Sequence, residues 1–246
     1  MDTQWITGDV AASQPIWGAP GLWWPLSAGL SGLRVTASAA DGIVVDGELV
    51  DGDAVVTGMD SVSPSSIRFS DTVTRTVIAS EEGEYALRVW DADSEGIRDF
   101  GAIEAFPYDP TWVVEGHFTW NVGAEKVSIA YLQENGKTRE KTVPGEVSFT
   151  RYGEEHRLVA FEDGPSVLIV FADSTTGDTS YSVGRFHRGV PGDTGSITLD
   201  FNRAYLPPCA FSYNFNCPIL PKQNRLDIAV EAGERNVLNR IGDLLH

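Results

Sequence analysis

Cysteine is nearly missing from this 246-residue chain, with Cys209 and Cys217 the whole supply. That excludes a disulfide scaffold and leaves two small thiols, expected to stay reduced in a cytosol. Basic residues are scarce too. Eighteen Lys and Arg stand against 35 Asp and Glu, a formal charge of −17. Such a surface repels phosphate backbones and anionic lipid, so neither a nucleic-acid nor a membrane partner is expected. No apolar run reaches the roughly eighteen residues that a helical bilayer span needs. The opening Met1-Asp2-Thr3-Gln4-Trp5 lacks the basic and apolar regions of a signal peptide. A cytoplasmic location is therefore the expectation.

Familiar chemical motifs are absent as well. There is no Gly-x-Gly-x-x-Gly, no P-loop and no Gly-x-Ser-x-Gly elbow. Seven residues separate Cys209 from Cys217, unlike the short Cys-x-x-Cys clamp of zinc sites, and no histidine lies between them. A Cys–His pair with His156 or His187 has no local support. Neither a metal nor a cofactor is expected.

What the chain does have is period-two alternation. Leu33-Arg-Val-Thr-Ala, Arg75-Thr-Val-Ile and Tyr85-Ala-Leu-Arg-Val-Trp90 alternate, and similar stretches return at 112–120, 126–132, 146–152, 158–161 and 167–171. Between them fall turn pairs such as Asp41-Gly42, Asp46-Gly47, Asn135-Gly136 and Asp163-Gly164. The pattern predicts an all-β fold, a sandwich or barrel of many short antiparallel strands. Residues 1–40, with Trp5, Trp17, Trp23 and Trp24 among Gly and Pro, read as an ordered arm whose indoles pack on the body. Residues 41–246 read as a single β-rich domain. Val237, Leu238, Ile241, Leu244 and Leu245 stand at helical spacing and predict a short C-terminal helix, docked on the body or used in a dimer. Monomer and homodimer both stay open.

The later half holds most of the positive charge. Residues 1–124 carry 19 acids and 5 bases, whereas 125–246 carry 16 and 13. Residues 167–186 read as a hairpin that puts Thr179, Tyr181, Val183 and Arg185 on one face. Strand geometry continued through Ile197–Arg203 would send Arg203 coreward and Asp200 and Asn202 the other way. A guanidinium there needs a carboxylate, with Glu231 and Glu234 as first candidates. Tyr205–Pro221 then packs four prolines, two cysteines and four aromatics into one stretch. Proline forbids a central strand, and the apolar content predicts a rigid, largely buried loop.

These stretches carry a resemblance. Phe100…Phe106-Pro107, Thr179-x-Tyr181-x-x-Gly184-Arg185-Phe186, Asp200-Phe-Asn-Arg-Ala-Tyr-Leu-Pro-Pro-Cys-Ala-Phe211, Cys217-Pro218, Asn224-Arg225-Leu226 and Glu231-Ala-Gly-Glu234 together resemble domain of unknown function family 1684, a bacterial and archaeal family. The resemblance runs from about residue 42 to 234. It implies no established activity. It implies that Arg185, Asp200, Asn202, Arg203, Tyr205, Cys209, Cys217, Asn224, Arg225 and Glu234 occupy signature positions.

Two functions follow as expectations. Arg185, Arg203 and Arg225 could form a fork for a small anionic molecule, oriented by Tyr181, Asp200, Asn202, Tyr205 and Asn224. Alternatively each arginine is satisfied internally, and the chain is a non-catalytic β scaffold or interaction module.

Overall fold

The computed structural model describes residues 2–6, 14–16, 18–27, 30–80, 83–130 and 138–245. Trp17 and the Asn135-Gly136 turn lie outside them. The fold is mostly β and antiparallel, as the alternation predicts. Compactness divides the chain into Met1–Arg98 and Asp99–His246, so the boundary falls near residue 98 and not near residue 40. No helix of the described residues is long and apolar enough to cross a membrane.

The first unit contains β1 (Asp2–Ile6), β2 (Gln14–Ile16), β3 (Ala19–Pro25), β4 (Leu33–Ala37), β5 (Val44–Val45), β6 (Glu48–Leu49), β7 (Gly52–Val56), β8 (Ile67–Arg68), β9 (Val73–Ala79) and β10 (Tyr85–Asp91). They form two sheets, ordered β1-β10-β9-β8-β5-β6 and β2-β3-β4-β7. Residues 1–40 are thus not an arm. They supply four strands, and Trp23 sits fully buried at the centre of the unit's core with Leu33, Val35, Ile43 and Leu87. Its indole N–H donates to the Pro20 carbonyl at 3.0 Å, which satisfies the one polar atom that its burial removes from water.

The second unit contains β11 (Phe100–Ala105), β12 (Val113–Ala130), β13 (Thr138–Arg151), β14 (Glu154–Asp163), β15 (Ser166–Phe171), β16 (Arg185–Gly189), β17 (Ser196–Asp200) and β18 (Glu234–Asn239). Six strands make one sheet, β16-β15-β14-β13-β12-β17, and β11 and β18 form a separate ribbon. Leu158–Phe161 on β14 are buried without alternation, because both faces of the sheet are covered there. Leu158 and Ala160 belong to the main core around Phe149, Phe171 and Phe201. Val159 and Phe161 face a second cluster with Val170 and Phe186, against which Tyr205 and Leu220 of the proline-rich loop pack.

Asn224 fastens that loop. Pairing between β14 and β15 ends at Phe161 and Leu168. Beyond it, the fully buried Asn224 amide accepts from Val159 N at 2.7 Å and donates to the Val159 and Val170 carbonyls, both at 2.8 Å. One side chain replaces the missing rungs.

Three local expectations are corrected. The C-terminal helix is absent: Glu234–Asn239 is β18, paired antiparallel with β11. Asn239 Oδ1 then accepts from the backbone of Ile241 and Asp243, turning the chain so that Leu245 N reaches the Val237 carbonyl. Asn236, Asn239 and Gly242 are weak helix formers, and the β11 ladder offers the backbone a better set of partners. The second strand of the expected 167–186 hairpin begins only at Arg185, since residues 173–184 are turns organised by Asp173 and Thr175. Finally β17 stops at Asp200. Its carboxylate accepts from Asn202 N at 3.1 Å and starts a 3-10 turn over Phe201–Arg203, so Arg203 swings out and is exposed.

Candidate ligand cavity

Arg185 is the most enclosed charge of the second unit, at 0% exposure. Its guanidinium donates to Asp173 Oδ2 at 2.6 Å and to the carbonyls of Val230 at 2.7 Å, Ala232 at 2.5 Å and Glu234 at 3.3 Å. The rings of Phe171 and Phe106 flank it at 5.3 and 5.6 Å. Asp173 is met in turn by Thr175 N and the Thr175 hydroxyl. The box is an internal ion pair whose two terminal nitrogens meet four acceptors while the buried Nε meets none, and it fixes the Val230–Glu234 segment to the sheet. Gly184, with φ +98, makes the close approach possible, since a Cβ there would stand 2.5 Å from the Phe171 carbonyl.

The other expected site residues are dispersed. Arg203 and Arg225 are exposed, so with Arg185 enclosed the three form no common fork. Tyr205 stands edge-on to Phe186 at 5.8 Å, beneath the Arg188 guanidinium at 5.7 Å. Burial raises its phenol above the ordinary value. Tyr181 is half-buried beside Cys209, and its phenol is raised as well, first by burial. Asn224 is the staple described above. Asp200 Oδ1 also accepts from Asn202 Nδ2 at 2.9 Å. The Asn202 amide thereby clamps Asp109, accepting from its N–H and donating to its carbonyl, both at 2.9 Å.

That clamp, like the Arg185 box, lies behind a cavity of about 460 Å³. Its wall comes from Phe106–Asp109, Thr111, Trp112, Arg151, Tyr152, Thr179, Ala229, Glu231 and Arg235. Thus Asn202 holds the 106–112 side and Arg185 the 229–235 side, although neither lines the space.

Arg151 is the unexpected residue. Its guanidinium lies between two rings, 4.4 Å from the centre of Trp112 and 4.6 Å from that of Tyr152. It donates to the Thr111 carbonyl at 2.6 Å and the Thr111 hydroxyl at 3.0 Å. Its Nε is buried with no hydrogen-bond partner, and among the described residues it makes no ion pair with a carboxylate. Arg235, by contrast, is paired with Glu104 at 2.5 Å, which holds the carboxyl low and the guanidinium high. Asp109 is also held below the ordinary carboxylate range, first by Thr111 and lastly by Arg151.

Tyr152 carries local strain. With Gly153 it makes the two-residue turn between β13 and β14, both in the left-handed region at φ +53 and +83. Such a type I′ turn favours Asn or Asp at the first place, and a bulky residue there costs about 1 kcal/mol. The ring it supplies covers Arg151. Tyr152-Gly153 between two strand runs, where Asn-Gly is usual, was the available sequence signal for this site. Among the described residues no group of three or more His, Cys, Asp or Glu is placed to hold a metal.

The second unit is therefore an all-β module with an arginine- and aromatic-lined cavity. The chain belongs to the family described as "Protein of unknown function (DUF1684)", whose model matches residues 98–235, nearly the span of this unit. A solution NMR structure of an uncharacterised protein from Haloarcula marismortui is similar at 35% identity, over 55% of this chain and 76% of that one, with a TM-score of 0.46. No curated protein matches.

Proposed function

We propose that the unit Asp99–His246 binds a small anionic molecule in this cavity, with Arg151 as the main partner of the anion. The observation that supports it is Arg151 itself: a guanidinium without a carboxylate partner among the described residues, beside open space. Arg holds anions through several fixed donors, and charge-assisted bonds of this kind are the strong ones. Tyr108 and Tyr152, both exposed, offer ring surface to the rest of the ligand. Asp109 and Glu231 would repel a polyanion while accepting hydrogen bonds. The reading is thus of one anionic group accompanied by hydroxyl or amino donors. We place the protein in the cytoplasm, as a monomer or homodimer, without a nucleic-acid or membrane partner. No residue is assigned a catalytic step.

The alternative, a non-catalytic β scaffold or interaction module, is favoured by Arg185, whose charge is met from within. A melting-shift screen separates the two, because a ligand that binds only the folded state stabilises it. Citrate, phosphate, sulfate and nucleotides are compared with chloride at matched ionic strength, since so acidic a surface responds to salt alone. The expected result is an anion-specific rise that Arg151→Met abolishes and Arg203→Met retains. If no anion exceeds chloride, the scaffold reading holds.

A further inference from the structure

The proline-rich loop does more than cover the sheet. Pro207-Pro208 fix a 3-10 turn over Pro208–Ala210, which brings Cys209 back against Cys217. The Cys209 backbone N–H donates to Cys217 Sγ at 3.3 Å. Both thiols are free and buried, at 3% and 4% exposure. Two sulfurs brought together by a nine-residue stretch, with prolines at both ends, form a preorganised pair. They belong neither to the cavity wall nor to the Arg185 box.

We propose that Cys209 and Cys217 are a redox pair, which a hydroperoxide converts to an intramolecular disulfide. One thiolate attacks the O–O bond, forming a sulfenic acid and releasing hydroxide or alkoxide. The other sulfur then attacks the sulfenic sulfur, forming S–S and expelling its oxygen as water, with the thiol proton lost to that leaving group. The peroxide is the oxidant, the two thiols together supply the two electrons, and a soluble dithiol reverses the change.

The test uses the native, reduced full chain. Hydrogen peroxide is added and quenched with catalase. The chain is then unfolded in alkylating agent and weighed intact. The expected product is monomeric, two hydrogens lighter and unalkylated. Cys217→Ser and Cys209→Ser each remove one sulfur, so each should form no intramolecular disulfide and should stop at a sulfenic acid that dimedone traps. Retention of both thiols at a dose that oxidises the denatured chain overturns the proposal, and so does direct over-oxidation without a disulfide. The wild-type mass decides the question even if a variant misfolds.

Discussion

Arg185 and Arg151 lie in one unit and carry the same group, yet their surroundings are opposites. Arg185 reaches one carboxylate and three carbonyls and sees no solvent. Arg151 rests on two rings, donates among the described residues only to Thr111 and Tyr152, and borders a cavity. The lesson concerns how a charge is completed. Where the backbone supplies acceptors, the arginine has become part of the framework. Where it supplies π-faces and a threonine, a demand is left for something else to meet. A signature position can therefore mark the framework of a site and not its lining.

The largest expected effect tests the enclosed side. Arg185→Met should cost about 3–5 kcal/mol, because it leaves Asp173 buried and unpaired. Chemical denaturation measures it. Replacing Asp173 by Leu in the same chain should recover part of the loss. If Arg185→Met costs no more than a surface change, the box is not the framework argued here.

The next effect is pH-dependent. His187 is buried at 2% exposure, stacked on Phe201 at 5.6 Å, and both its ring nitrogens lack partners. Burial lowers it to about 4, with Arg203 lowering it further and Asp200 opposing. The unfolded chain, near 6.5, then binds the proton more readily than the folded one. Stability is accordingly full above pH 6.5 and falls as the pH drops toward 4, by about 3 kcal/mol in all. His187→Phe keeps a ring on Phe201 and should flatten this part of the profile. An unchanged slope in that variant would place the acid sensitivity elsewhere.

The smallest effect sharpens the open side, because its two readouts have opposite signs. Tyr152→Asn relieves a left-handed tyrosine and should stabilise the chain by about 1 kcal/mol. It also removes one ring from Arg151 and should weaken the anion-specific melting shift. Gain of stability with an undiminished shift would mean that the ring has no part in binding. Loss of stability would mean that the turn is not strained.

Much of the fold was legible. Asp46-Gly47 does turn between β5 and β6, both residues left-handed, and β4 alternates as read. Short-range chemistry decided those places. The C-terminal segment was misread because Val237-Leu238 and Leu244-Leu245 fit a helical period while β11, the partner that makes a strand of it, lies some 130 residues away in the chain. The cavity was illegible for the same reason, since its wall is assembled from four separate segments. The signature residues were found by motif, but whether Arg185 faces a ligand or a ring of carbonyls depends on where Val230–Glu234 returns. Arg203 was misplaced because the Asp200 carboxylate ends β17 three residues early.

The β11–β18 ribbon has a mechanical consequence. Phe100 pairs with Asn239 and Ala105 with Glu234, so the unit's first and last strands start and finish at the same end. Tension between residues 99 and 240 would load these rungs one after another, as a zipper is opened, and not all together in shear. The six-stranded sheet would stay out of the load path until the ribbon had parted. Arg235 belongs to β18 and to the cavity wall, so peeling this latch would unroof the cavity while the sheet beneath it stayed closed.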